Sequence, residues 1–233
     1  MPQPLALIVG ANRGLGLGLV RELLGRGFDI IATVRDVGKA TDLAAVAAAN
    51  PGRVRIETLN LNDTTALDGF APKLAGQTLD VLFVNAGVSG PAHKDGMQAT
   101  IEETGALMFT NAVAPVRLAR HLLGNVRENT GVIAFMSSVM GSVADNLAGS
   151  SELYRASKAA LNSMTRGFYN AGLGGRKITV LSLHPGWVRT DMGGASAPVS
   201  IEESVKGLAD VLLAQRGAHA HKFLDYRGET ISW

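Results

Sequence analysis

Apolar residues come in short, nearly unbroken runs along this chain, among them "DIIATV" and "DVLFV". Runs without polar alternation are what strands buried on both faces require. They fall at about 5–9, 28–34, 53–59, 79–84, 131–136, 177–183 and 222–226, and segments of helical periodicity lie between them. That alternation predicts βαβ units, an α/β fold with a parallel sheet and helices on both faces. Long helices are expected near 101–123 and 152–172, both apolar beyond one core-facing stripe. No repeat at solenoid spacing and no Pro/Gly/Ser linker divides the chain, so 1–233 reads as a single domain. "GGASAPVS", 193–200, reads as a mobile loop.

Composition narrows the function. The 233 residues are 46% hydrophobic and 18% charged, a globular balance with no disordered tail. Net charge is +2 and the basic residues are scattered, which argues against nucleic acid as a partner. The absence of cysteine excludes disulfides, thiolate nucleophiles and zinc–thiolate sites, and suits a reducing cytoplasm. The first apolar run lacks a preceding basic stretch and is too short for a signal peptide or a membrane span. A small molecule is the expected partner, and no metal is called for.

In "LIVGANRGLGLGLVREL", 7–23, Gly10, Gly14 and Gly16 stand where the first strand turns into the first helix. Glycine there permits a tight turn, close approach of backbone to a ligand, and close helix-to-strand packing. The helix N-terminus presents free N–H groups and a dipole that favour a pyrophosphate. A glycine-rich turn with no ligand is the alternative.

The GxxxGxG spacing is joined by "NAG" at 85–87, "YRASK" at 154–158 and "HPGWVRTDM" at 184–192. Together these motifs resemble the short-chain dehydrogenase/reductase family over nearly the whole chain, and within it the small carbonyl-reductase group with C-factor-like and sniffer-like members. Two departures stand out: Val9 precedes the first glycine where the family more often has threonine, and "VNAG" has one asparagine where many members have two. The resemblance implies a Rossmann-type doubly wound sheet in the order 3-2-1-4-5-6-7. It further implies a homodimer or homotetramer paired through the helices at 101–123 and 152–172. The catalytic roles it implies fall on Asn111, Ser138, Tyr154 and Lys158.

The chemistry of those side chains can be argued separately. Tyr154 and Lys158 are four apart and share one helix face. An ammonium nearby favours phenolate, so Lys158 is expected to lower the tyrosine pKa and ready it for proton exchange. Tyr154 would then protonate a carbonyl oxygen as hydride arrives from a nicotinamide, with the Ser138 hydroxyl bonded to that oxygen. Asn111, by resemblance, positions a water that links Lys158 to bulk solvent. Ser137 is the alternative to Ser138, since both follow "GVIAFM". The carboxyl end of a parallel strand is where such sheets bind ligands.

Cofactor choice turns on "ATVRD", 32–36. In the family register Val34 stands where an acid would bind the ribose hydroxyls of NAD, and Arg35 follows it, able to pair with the 2′-phosphate of NADP. Arg13 offers a second cation, so NADP(H) is favoured over NAD(H); the rival reading makes Asp36 the ribose ligand. The rest of the expected cofactor site is Asn12 and Leu15 in the glycine loop, Asn60 and Leu61 after the third strand, and Asn85, Ala86 and Gly87 after the fourth. Pro185, Gly186, Val188 and Thr190 follow the sixth, while Tyr154 and Lys158 serve both cofactor and chemistry.

Two other function classes stay open. A serine hydrolase could use Ser138 with His184 and an aspartate, though no GxSxG elbow is present. A nonenzymatic dinucleotide-binding or signalling module fits the same fold. His184, before Pro-Gly at a strand end, reads as a structural or cofactor-lining group.

Overall fold

The apolar runs become seven parallel strands. A computed structural model of the chain describes residues 3–93 and 95–233. Strands β1 (Leu5–Val9), β2 (Asp29–Val34), β3 (Val54–Thr58), β4 (Val81–Val84), β5 (Val132–Met136), β6 (Thr179–His184) and β7 (His221–Asp225) form one sheet in the order 3-2-1-4-5-6-7. That is the expected order. All pairings are parallel, with Val9 opposite Thr33 and Val84, and Met136 opposite Leu183.

Helices cover both faces. They are α1 (Gly14–Gly25), α2 (Thr41–Ala49), α3 (Ala66–Phe70), α4 (Ile101–Met108), α5 (Ala114–Leu122), α6 (Glu152–Asn170) and α7 (Ile201–Ala214). Successive strand residues alternate between two cores: Ala6 and Ile8 pack with α1, α2 and α7, while Leu7 and Val9 pack with α3, α5 and α6. Each buried Leu, Ile or Phe contributes roughly 1.5–3 kcal/mol. Both faces are therefore needed, as continuous apolar strands imply.

The helix expected over 101–123 is interrupted. A π turn, Phe109–Val113, separates α4 from α5, with Asn111 at its centre. Pro115 sits in the first turn of α5; it has no N–H to return to the Asn111 carbonyl four residues earlier, so the α-helical ladder breaks there. On the helices at 101–123 and 152–172, Phe109, Leu123, Met164 and Tyr169 are half-buried, and Ile101 is the one large apolar side chain exposed among the described residues; Arg120, Arg166, Ser163 and Gly167 occupy outer positions.

The segment read as mobile is tied at its base. Val188 bridges Val199, Arg189 N donates to Val199 O (3.0 Å), and Val199 N donates to Trp187 O (3.1 Å). Arg189 further donates to the carbonyls of Ala197 (3.0 Å) and Pro198 (2.9 Å). It forms a pinned loop at the carboxyl edge of the sheet.

Candidate active site

The glycine loop takes shape where β1 ends. Gly10 (φ +83°) and Gly14 (φ +54°) lie in the left-handed region that glycine enters without strain. A Cβ on Gly16 would stand 2.1 Å from the Gly10 carbonyl and 2.8 Å from Asn85 Nδ2, so no side chain fits. Asn85 Nδ2 donates to that same carbonyl (2.7 Å). Its role is therefore to brace the loop from β4.

Val9 lacks the hydroxyl that a threonine would bring, and the neighbouring strand supplies bracing instead. Thr33 O accepts from Gly10 N (3.1 Å) and Ala11 N (2.9 Å), and Thr33 Oγ1 lies 3.4 Å from Gly10 N as a longer acceptor. At the start of α1 no side chain caps the first-turn N–H groups, and no acid lies in that turn. The helix end is open to an anion. Asn12, Leu15 and the exposed Arg13 flank it, and Arg13 pairs with Asp191 of the pinned loop.

Arg35 is exposed just beyond β2. Asp36 is occupied: its Oδ1 accepts from Gly38 N (2.9 Å) and its Oδ2 lies 3.6 Å from Lys39 Nζ. Leu61 is buried and Asn60 exposed in the turn after β3, where Asn60 Oδ1 accepts from Asn62 N (3.2 Å).

Ser138, Tyr154, Lys158 and Asn111 meet beyond β4 and β5. Lys158 is buried in α6, and its Nζ donates to Met136 O (2.9 Å) at the end of β5. Asn111 is fully buried; its Oδ1 accepts from Val88 N (2.9 Å), and its Nδ2 donates to Val88 O (2.8 Å) and Ser157 Oγ (3.0 Å). A Cβ on Gly87 would approach Asn111 Oδ1 to 3.3 Å and Lys158 Nζ to 3.4 Å. The bare backbone of Gly87 thus keeps a cradle open beside the lysine. Ala86 packs beneath Gly10, Pro185 accepts a hydrogen bond from Ser204 (2.6 Å), and Gly186 has φ +85°. Val188 is buried, and the methyl of Thr190 lies 3.8 Å from where a Gly14 Cβ would stand.

Strand alternation separates the two serines. Ser137 is buried and donates to Asn162 Oδ1 (2.7 Å), so it serves the packing of α6. Ser138 Oγ accepts from Met140 N (3.1 Å) and bonds toward the Tyr154 hydroxyl. The expected lowering of the Tyr154 pKa by Lys158 is not found. Burial pushes the tyrosine up to about 12, and only the Ser138 hydroxyl works against that. Burial pushes Lys158 down to about 8. Lys158 Nζ is anchored on Met136 O and stands 5.7 Å from the Tyr154 ring centroid, and burial of the tyrosine outweighs it.

Three supporting residues escaped the sequence reading. Gly141 closes the turn after Ser138, where a Cβ would stand 2.9 Å from the Lys158 backbone; its spacing from Ser138 in "SSVMG" is the available signal. Ser157 donates to Tyr154 O (2.7 Å) while receiving Asn111. Thr33, above, is the third. His184 is pushed down to about 4 by burial, despite Asp225 nearby, and its buried Nδ1 has no partner among the described residues. It is neutral and forms no Ser-His pair with Ser138, which disfavours the hydrolase reading.

With this geometry, comparison with known proteins decides the family. The short chain dehydrogenase model matches residues 4–199. The chain belongs to the short-chain dehydrogenase/reductase family. Among curated proteins it is 39% identical to "C-signal" of Myxococcus xanthus over 168 residues, covering 70% of this chain and 98% of that one. A Burkholderia multivorans protein solved with bound NADP is 45% identical, with a TM-score of 0.95 over 100% of both chains. Carbonyl reductase Sniffer of D. melanogaster is 31% identical, with a TM-score of 0.88 over 100% of both chains. No helix among the described residues is long and apolar enough to cross a membrane.

Proposed function

We propose that this dehydrogenase interconverts a carbonyl and an alcohol with NADP(H), Tyr154 serving as general acid and base. The pairing of Tyr154 with Ser138, and the placing of Lys158 between the Tyr154 ring and the side-chain-free backbone of Gly87, carries the reading. The glycine loop and the uncapped start of α1 fit a dinucleotide pyrophosphate, and Arg35 and Arg13 fit a 2′-phosphate. The NADP bound to the Burkholderia relative supports the same choice. When bound, the nicotinamide supplies or accepts hydride.

The chain's own residues do the rest. A Tyr154 hydroxyl pushed up to about 12 stays protonated near neutrality, which suits proton donation to a carbonyl oxygen. Ser138 bonds that oxygen as charge develops on it. Lys158 binds the nicotinamide ribose and carries a replacement proton, and Asn111 holds the Val88 backbone and α6 at fixed separation. The exposed small residues Ala156, Ser163 and Gly167 on α6 allow close approach of a second copy, so a homodimer or a tetramer of dimers belongs to the same reading; sedimentation as a monomer at micromolar concentration would oppose it. Lack of cysteine supports a cytoplasmic place.

NADPH consumption measured against a broad panel of aldehydes and ketones tests the activity. Tyr154→Phe keeps the ring and deletes the proton, so turnover falls by about 10²-fold or more while NADPH binding persists. Near-normal turnover in that variant would place the proton elsewhere. A wild type that binds NADPH and reduces nothing would favour a nonenzymatic dinucleotide-binding module.

A further inference from the structure

Beyond β7 the chain turns back on itself. Asp225 builds the turn, its carboxylate accepting from Arg227 N (2.9 Å) and Glu229 N (2.9 Å), and Gly228 takes φ +85° there. Asp225 N donates to Glu229 O (2.9 Å) and Ile231 N to Phe223 O (2.9 Å), so residues 229–231 lie antiparallel along the outer edge of β7, the outermost strand of the sheet. Covering an unpaired strand edge is reason enough for such a return. It does not account for Trp233.

The Trp233 ring is packed on several sides. It stands 5.4 Å from Phe223 and 4.7 Å from His221, Arg166 of α6 lies over it at 4.6 Å, and His221 stacks in turn on Tyr169 at 6.0 Å. Burial, with Arg166 adding to it, pushes His221 down to about 4, and neither of its ring nitrogens has a partner among the described residues. His221 therefore serves as a neutral aromatic plate. Ring contacts and a cation over the face together fix the indole.

The backbone carbonyl of Trp233, set by that packing, accepts from Ala144 N (3.2 Å). Ala144 belongs to the segment that leaves β5 through Ser138. That segment is a run of short turns: Met140 N donates to Ser138 Oγ (3.1 Å), Gly141 N to Ser138 O (2.8 Å), Ser142 N to Val139 O (2.9 Å), and Asp145 N to Ser142 Oγ (3.0 Å). Helix α6 holds its near end, where Asn162 Nδ2 donates to Gly141 O (3.3 Å). Trp233 holds its far end. The bond from Met140 bears on the chemistry, because a serine oxygen that accepts from that N–H keeps its own O–H for donation to a carbonyl oxygen.

We propose that Trp233 is a positioning residue for carbonyl reduction: its packed indole fixes the carbonyl that anchors the turns at 138–146, and those turns hold the Ser138 hydroxyl in its donating orientation. The proposal rests on the carbonyl-reductase reading.

Trp233→Ala, assayed on any aldehyde or ketone that the wild type reduces, should lower kcat about three- to tenfold while KM and NADPH affinity stay within about twofold. Trp233→Phe keeps a ring for Arg166 and His221 and should restore kcat to within about twofold of wild type. Amide hydrogen exchange over 139–145, followed by mass spectrometry on the protein alone, should quicken about fivefold or more in Trp233→Ala and hold steady in Trp233→Phe. In a Ser138→Ala background, Trp233→Ala should cost less than about twofold further, because the hydroxyl it positions is gone. Should Trp233→Ala fail to fold, Trp233→Leu keeps apolar volume against Phe223 and takes its place in every measurement. A variant that loses Tm but not kcat makes Trp233 a packing residue only. Exchange that does not quicken, or a kcat loss undiminished in the Ser138→Ala background, breaks the path from Trp233 to Ser138. Each of these overturns the proposal and leaves reduction standing. A wild type that reduces no carbonyl compound removes the reductase reading, and this inference falls with it.

Discussion

The two edges of the sheet are built from opposite materials. At the amino edge charges are matched in pairs: Asp80, almost fully buried, accepts from Arg127 Nε (2.7 Å), Arg216 Nη2 (2.7 Å) and Leu5 N (3.0 Å). Asp29 meets Arg53 (3.2 Å), and Glu128 meets Arg176 (3.3 Å) nearby. At the carboxyl edge side chains are missing where they would close the site, at Gly10, Gly16 and Gly87, and a buried lysine has a carbonyl for its partner. One edge is finished by its own residues. The other is left open by its glycines.

The largest expected effect breaks the finished edge. Removing Asp80 leaves two guanidiniums and the Leu5 N–H without their acceptor, and loss of one partner of a buried pair costs about 3–5 kcal/mol. Asp80→Ala should lower Tm by roughly 10 °C, with kcat/KM at low temperature nearly unchanged because the change is at the edge opposite the catalytic groups. Burial alone would raise the Asp80 pKa, but Arg127, the Leu5 N–H and Arg216 outweigh it and hold the carboxyl below its ordinary value. A depressed carboxyl contributes stability that is present above its unfolded pKa and lost as pH falls through the folded one. The Tm gap between wild type and Asp80→Asn should therefore narrow below about pH 4, which thermal melts across the acid range would show.

The next effect probes the open edge. If Arg35 receives a 2′-phosphate, Arg35→Ala loses a charge-assisted bond worth about 1.5–3 kcal/mol. NADPH affinity should drop roughly ten- to a hundredfold, and NADH affinity should hardly move. Fluorescence titration with both cofactors measures this. Equal losses would remove Arg35 from the phosphate site.

Much of this contrast could be read before any coordinates. Buried parallel strands announce themselves as unbroken apolar runs, so the sheet and its carboxyl edge were legible, as were Tyr154 and Lys158 at helical spacing. Ser138 was favoured over Ser137 from its place beyond a strand end, but the work of Ser137 as a donor to Asn162, 25 residues away, is something no local pattern supplies. The π turn at Asn111 was missed because apolar periodicity runs through it, although Pro115 marked the place. The upward shift of Tyr154 comes from burial, a tertiary quantity, whereas sequence showed only the lysine four residues on. The amino-edge ion pairs join residues as distant as Asp80 and Arg216, so no spacing rule finds them.

A smaller effect separates the neighbouring serines. Ser138→Ala should lower kcat about tenfold with NADPH affinity kept, since its hydrogen bond matters most when the carbonyl oxygen carries charge. Ser137→Ala should do the reverse, leaving kcat near normal and lowering stability by about 1–2 kcal/mol, because Asn162 Oδ1 loses its buried donor. Steady-state rates and denaturant melts on the two variants would show whether both serines serve one role.

The smallest expected effect carries an unusual sign and concerns the buried lysine. Lys158 is pushed from its ordinary value down to about 8 by burial, so its ammonium is costly to the folded chain. A group whose folded pKa is depressed in this way binds fewer protons folded than unfolded between about pH 8 and 10.5, and stability rises with pH across that window. Near neutrality the full cost is present. Lys158→Met keeps the length of the stem, removes the charge, and leaves only the Met136 carbonyl without its donor. Desolvation of the ammonium outweighs that one hydrogen bond, so the variant should gain about 1 kcal/mol and melt a few degrees higher at pH 7. The advantage should shrink as pH rises toward 10, where the wild-type lysine loses its proton. Turnover should collapse in the same variant. A Tm that falls at pH 7, or a gain that does not depend on pH, would mean that the ammonium is as well satisfied as the charges at the amino edge, and the contrast between the two edges would fail at its central residue.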